Sequence, residues 1–167
     1  MRMRAGNIAV AAMCTAAAVV INIMSSLFPT ARIAAAAVSG LATAVTLMKC
    51  GYLYSVLQFT AAAALALLLA PTKTGAILFS IFFGWYPIVK SLCERIKSPL
   101  LCWICKIIVF FITLSVAYYL WRNGFAGDII LPETALWLLA LMGTAVFVIY
   151  DIGFSRLISL YQKRLHK

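Results

Sequence analysis

The chain has 167 residues, of which 65% are hydrophobic and only 11% are charged, and its mean hydropathy is +1.05. Soluble chains carry about 25% charged residues, so a soluble globular domain is excluded and lipid is the expected solvent. The net charge of +10 comes from 14 Lys and Arg against 4 Asp and Glu. These basic residues lie between apolar runs and in the tails, which favours membrane anchoring and excludes nucleic-acid binding.

Six apolar runs follow one another, and about 20 residues are needed to cross a bilayer. The predicted spans are residues 8–28, 33–48, 50–70, 74–89, 99–121 and 134–154. The first run exceeds the roughly 7–15-residue core of a signal peptide, so it is expected to remain as the first helix. The second is short, and Gly51 leaves a re-entrant segment as an alternative there. The sequence predicts an all-α membrane protein, a single domain forming a compact bundle of six transmembrane helices.

Positive charge sets the predicted orientation, because Lys and Arg concentrate on the cytoplasmic side of membrane proteins. With the N-terminus inside, the outer side holds only Arg32, Lys73 and Arg122. The cytoplasmic side then holds Arg2, Arg4, Lys49, Lys90, Arg95, Lys97, Lys106, Arg156, Lys163, Arg164 and Lys167. We therefore expect a multi-pass protein of the cell membrane with both ends in the cytoplasm.

Two segments are predicted to meet partners. In the first run, Ala12 and Ala16 form a small-xxx-small pair, which serves either packing within the bundle or contact with another membrane subunit. Residues 89–97 are predicted to continue the fourth helix along the cytoplasmic surface, before Ser98 and Pro99 begin the fifth. Lys90 and Glu94 share one face there, either as an anchor with a weak ion pair or as a docking surface.

The cysteines suggest one chemical alternative. Cys102 and Cys105 form a Cys-x-x-Cys sequence near a helix start, where a redox pair can operate. The predicted topology puts all five cysteines on the reducing side, which favours buried thiols instead. The one histidine, His166, and the missing second cysteine pair predict no zinc or other metal site. No base or acid pair for hydrolysis lies in the runs, so neither an enzyme nor a cofactor is predicted.

Polar and aromatic residues of the outer half form a predicted small-molecule site. Aromatic walls with a few polar groups are typical of a pocket, although Tyr and Trp at span ends are also typical of an interfacial belt. The candidate ligand-binding residues are Asn22, Arg32, Tyr118, Trp121, Arg122, Glu133 and Trp137.

The whole chain resembles the S components, the substrate-binding membrane subunits of energy-coupling factor (ECF) vitamin transporters. The shared features are the length, six helices, cytoplasmic ends, short loops and an alanine-rich first helix with Ala12-x-x-x-Ala16. The resemblance implies that Ala12 and Ala16 dock onto a transmembrane coupling subunit driven by ATPases, and that the outer residues bind a vitamin. No signature for riboflavin, thiamine, biotin or folate is present, and the missing His-based metal site argues against nickel or cobalt.

The string from Phe83 to Lys90 resembles one in uncharacterised Gram-positive membrane proteins, so a Gram-positive plasma membrane is expected. The leading hypothesis is a non-enzymatic subunit that takes up a vitamin-like solute together with partner subunits. The first alternative is a membrane scaffold of the cell-shape or division type, which has partners but no ligand. The second alternative is a membrane thiol oxidoreductase built on Cys102 and Cys105.

Overall fold

A computed structural model describes residues 5–94 and 99–122, together with positions 144, 147, 148, 150–153 and 156. The contacts group the chain into a first compact unit, Met1–Gly127, and a second, Asp128–Lys167, and the predicted single domain stays a prediction. The residues described in the second unit are helical, and there Phe147 and Asp151 are buried. The part of the chain that the structure describes contains no β-strand, which confirms the all-α class.

Five long helices are described in the first unit. They are α1 (Ala5–Met24), α2 (Arg32–Cys50), α3 (Tyr52–Leu69), α4 (Lys73–Cys93) and α5 (Pro99–Arg122). The first four are long and apolar enough to cross a membrane, and α5 contains the apolar stretch Cys102–Val116. A multi-span helical membrane protein is therefore supported by length and composition. Most of the sixth predicted span, residues 134–154, lies outside the described residues.

Helix α1 ends at Met24, whereas the sequence predicted a span to residue 28. Residues 25–27 form turns, with backbone hydrogen bonds from Ser26 to Ile23 and from Leu27 to Met24. The Ser25 hydroxyl also donates to the Asn22 carbonyl at 2.6 Å, so a side chain satisfies a carbonyl near the helix end. Hydropathy alone predicted a span to residue 28. The polar contacts of residues 25–27 end the helix at Met24 instead.

Helix α2 is longer than its predicted span, and α4 runs past residue 89 to Cys93, within the continuation that was predicted over residues 89–97. Helix α2 has 19 residues and α4 has 21, so both are of spanning length. Gly51 alone joins α2 to α3, and its φ of +90° is a conformation that L side chains rarely adopt. At the other end of α3, the Lys73 ammonium donates to the carbonyls of Leu67 and Ala70 at 2.7 and 2.9 Å. This cation therefore caps α3 at its C-terminus.

Helix α2 lies against α1, α3 and α4, and its buried residues are small. They are Ala36, Ser39, Gly40, Thr43, Ala44 and Thr46. Small side chains let helix backbones approach closely, which matters in lipid because no hydrophobic driving force acts between helices. Large apolar side chains lie on the exposed surface of the helices. Met13, Leu68 and Leu100 are each about three-quarters exposed.

A π-helical stretch, Phe79–Phe83, interrupts α4 and brings aromatic rings together. Gly84 closes it by donating its N–H to the Phe79 carbonyl at 2.7 Å. The rings of Phe59 and Phe79 lie 6.0 Å apart, and Phe82 stacks on Tyr86 at 5.1 Å. Such pairs add stability beyond their buried area, so they fix α4 against its neighbours.

Candidate functional site

A group of buried and half-buried polar residues lies where α1 ends and α2 and α4 begin. Asn22 is fully buried, and its Nδ2 donates to the Ala18 carbonyl at 2.9 Å. Ser25 is also buried, and across the bundle the Thr72 backbone N–H donates to the Ser26 hydroxyl at 3.4 Å. We call Asn22, Ser25, Ser26 and Thr72 the polar cluster.

Gly75 of α4 packs directly on the polar cluster. A Cβ atom at this position would lie 2.5 Å from Ser25 Oγ and 4.0 Å from Asn22 Oδ1. A larger residue here would displace the Ser25 hydroxyl from its present position. The first turn of α4 therefore forms one wall beside the Asn22 carboxamide.

Three buried polar atoms at this end have no hydrogen-bond partner within the described part of the protein. They are Asn22 Oδ1, Arg32 Nε and Thr72 Oγ1. The first is an acceptor, the second is a donor and the third can be either. Buried polar atoms are normally paired, so these three atoms make this end a candidate site for a ligand.

The structure describes the side chains of three of the seven predicted ligand-binding residues. Asn22 belongs to the polar cluster, and Arg32 begins α2 at the same end of α1. Tyr118 lies near the end of α5 and is 39% exposed, which is typical of an interfacial belt residue. The backbone of α5 extends to Trp121 and Arg122, but their side chains, with Glu133 and Trp137, lie outside the described residues.

Sequence reasoning missed Thr72 and Gly75, and it gave no role to Gln58 in the third run. The sequence did contain a signal for Gln58. A carboxamide inside a long apolar run costs free energy to place in the membrane, and such residues often have a function. Thr72 and Gly75 gave no such signal, since they look like ordinary residues of a loop and a helix start. Their proximity to Asn22 depends on α4 packing against α1.

The predicted docking pair Ala12 and Ala16 lies on a groove between α1 and α3. Both residues are exposed, and the groove has a volume of about 750 Å³. Its other lining residues are Ile8, Ala11, Thr15, Val19, Val20, Ile23, Tyr54, Leu57, Gln58, Ala61, Leu65 and Leu69. The pair is therefore accessible to another membrane helix, and its docking role stays a prediction.

The second predicted docking pair forms a charge cluster between α4 and α5. One carboxylate oxygen of Glu94 lies 3.7 Å from Lys90 Nζ and 3.5 Å from Lys106 Nζ. Lys90 is 1% exposed and Glu94 is 43% exposed. The burial of Lys90 puts its ammonium inside the protein, so only Glu94 of the pair is on the surface.

Glu94→Gln is expected to destabilise the purified chain by about 1–2 kcal/mol, because two buried ammonium groups lose a shared anion. The measurement is thermal unfolding in detergent micelles. The double variant Glu94→Gln with Lys90→Gln should lose less stability than the sum of the losses in the two single variants, since these two groups interact. An unchanged melting temperature for Glu94→Gln would show that the contacts add nothing.

The redox alternative depends on the state and burial of the thiols. All five cysteines are free, and Cys93 and Cys102 are buried. The described residues contain no group of three or more metal-ligating side chains placed to hold an ion. The thiol oxidoreductase stays an untested alternative.

Comparison of the chain with protein-family models, curated proteins and solved structures finds no match. The resemblance to the ECF S components therefore stays a prediction.

Proposed function

We propose that the chain is an integral membrane subunit that binds a small, vitamin-like solute and takes it up together with partner subunits. The observation that carries this proposal is the set of unpaired buried atoms, Asn22 Oδ1, Arg32 Nε and Thr72 Oγ1. A vitamin carries several donors and acceptors on a compact body, which is the chemistry that such atoms bind. Apolar side chains around a few polar groups are also the usual composition of a small-molecule site.

The distribution of charge supports an outward-facing site. In the proposed topology, six helices cross the plasma membrane of a Gram-positive bacterium, with both ends in the cytoplasm. The turn after α1 and the turn before α4 then face outside, and so does the polar cluster. The solute would enter from the outer surface, and the chain itself performs no chemical reaction.

Transport against a gradient needs an energy source, and the proposed partners are a transmembrane coupling subunit and its ATPases. Ala12 and Ala16 are exposed on the α1–α3 groove, where small residues allow a partner helix to approach. Glu94 is the exposed member of the charge cluster and offers a second contact for the same partner.

The proposal is tested by purifying the tagged full chain from its native membrane and identifying bound proteins and small molecules by mass spectrometry. Coupling and ATPase subunits, together with a bound vitamin, are expected. A thermal-shift panel of riboflavin, thiamine, biotin and folate provides the second measurement. Cell-wall or division proteins with no small molecule would support the scaffold and overturn the transport proposal.

A further inference from the structure

Three of the five thiols lie together where α4 ends and α5 begins. Cys93 is the last residue of α4, and Cys102 and Cys105 lie in the first two turns of α5. The Cys93 thiol is hydrogen-bonded to the Cys105 thiol, and Cys102 is close enough to Cys93 to interact with it electrostatically. The structure therefore adds a third thiol, from a second helix, to the Cys-x-x-Cys sequence.

An ion pair holds the two helix ends together beside these thiols. Each thiol of the hydrogen-bonded pair is followed in the chain by one member of this ion pair, Glu94 or Lys106. The Glu94 carboxylate lies 3.5 Å from Lys106 Nζ, and the same ammonium lies 5.7 Å from the centre of the Trp103 ring. Two contacts between consecutive residues therefore keep Cys93 opposite Cys105.

Helix geometry determines which two thiols are placed to form a disulfide. Residues three apart in an α-helix have Cβ atoms about 5–6 Å apart, whereas a disulfide needs about 3.5–4.5 Å. Cys102 and Cys105 both lie inside α5, so a bond between them would distort that helix. Cys93 and Cys105 belong to separate helices and are already in contact, so their sulfur atoms need only approach to the bond length of about 2.05 Å.

We propose that Cys93 and Cys105 form an oxidation site, which a peroxide converts into a reversible disulfide that joins α4 to α5. Cys105 is half-buried and Cys93 is buried, so Cys105 is the thiol that contacts the oxidant. The Cys105 sulfur attacks one peroxide oxygen and the O–O bond breaks. The products are a sulfenic acid on Cys105 and one water, which takes the thiol proton.

The second step forms the disulfide. The Cys93 sulfur attacks the sulfenic sulfur of Cys105, the S–O bond breaks, and a second water leaves with the Cys93 proton. The two thiols together lose two electrons, and the peroxide gains them. A thiol reductant reverses the reaction by thiol–disulfide exchange and returns both cysteines to the free state.

This inference goes beyond the proposed function, since the oxidation needs neither a solute nor a partner subunit. It also differs from the thiol oxidoreductase alternative, because the oxidised product is the chain itself and no other substrate takes part. In the proposed topology the pair lies on the cytoplasmic side of the membrane. Disulfides in that compartment are usually transient and serve catalysis or redox sensing.

The experiment treats the purified full chain, dilute in detergent, with hydrogen peroxide and then caps the remaining thiols with N-ethylmaleimide. Trypsin separates residues 91–95, which contain Cys93, from residues 98–106, which contain Cys102 and Cys105. Mass spectrometry is expected to find these two peptides joined, with fragmentation locating the link at Cys105. Dithiothreitol added before capping should abolish the joined peptide.

Cys102→Ala is the matched control, because it removes the third thiol of the cluster and leaves the hydrogen-bonded pair. The wild type should lose two of its five cappable thiols on oxidation, and Cys102→Ala should also lose two. Cys93→Ala should lose the joined peptide. Because the link is located in the wild-type chain, the result does not depend on whether a variant folds.

Four results overturn the proposal. They are a disulfide within residues 98–106, a link from Cys93 to Cys102, a link between two copies of the chain, and thiols that remain free or become oxidised without any link. Vitamin binding is measured separately on the reduced chain. Failure of the oxidation and failure of the proposed function are therefore distinguishable.

Discussion

Gly84→Ala is expected to destabilise the bundle by about 1–3 kcal/mol, and Gly84→Val by more, because the site has no space for a Cβ atom. A Cβ there would lie 2.6 Å from Cδ2 and Cε2 of Phe59 and 2.9 Å from the Phe79 carbonyl oxygen. The carbonyl belongs to the backbone of the π-helical stretch, and Phe59 packs against the Phe79 ring. Thermal unfolding of the purified chain in detergent, followed by tryptophan fluorescence, measures the loss.

Gly6→Ala is the matched control for Gly84→Ala. Gly6 lies in α1, and a Cβ there meets nothing within 4 Å. Alanine is favoured over glycine in a helix by up to about 1 kcal/mol, so this variant should be as stable as the wild type or more so. Equal stability of the Gly84→Ala and Gly6→Ala variants would show that α4 shifts freely away from Phe59.

Asn22→Ala is expected to weaken binding of the vitamin that stabilises the wild type by about tenfold or more. The variant removes the buried acceptor Oδ1, and one buried hydrogen bond to a ligand is worth on the order of 1–3 kcal/mol. The fold should survive, because α1 keeps its backbone hydrogen bonds. Ligand titration of the purified chain, followed by thermal shift, measures the change in affinity.

Thr46→Ala is the control for Asn22→Ala. Thr46 is equally buried, and its hydroxyl donates to the Ala42 carbonyl of its own helix at 3.0 Å. It lies near the other end of α2, away from the polar cluster, so binding should be unchanged. If both variants lost binding equally, a general effect on the fold would explain the result and Asn22 would not be a ligand contact.

Helix positions were largely predictable because they depend on local sequence. Long apolar runs broken by Pro29, Gly51 and Pro71 predicted four of the described spanning helices, and Pro99 predicted the start of α5. The errors in these predictions concerned where the helices end. Helix α1 stops at Met24 because serine hydroxyls and turns replace helical hydrogen bonds, and hydropathy does not register those contacts.

The candidate sites were predictable only in part. Asn22 and Arg32 were identified as polar residues at the ends of apolar runs, and Ala12 and Ala16 by their spacing. Lys90 and Glu94 were both predicted to lie on a surface face. The packing of α4 on α5 buries Lys90 and leaves Glu94 exposed. Burial of a lysine that is four residues from a glutamate cannot be seen without the neighbouring helix.

The sequence by itself determined the solvent and the secondary structure. An 11% charged chain with long apolar runs must place its surface in lipid, and lipid requires helices because each backbone polar group needs an internal partner. Only the tertiary structure decided which side-chain atoms remain unsatisfied. Asn22 Oδ1 and Gln58 both lie inside helices, and whether either meets a partner depends on which helix faces it. Those contacts join residues far apart in the chain, so no local pattern encodes them.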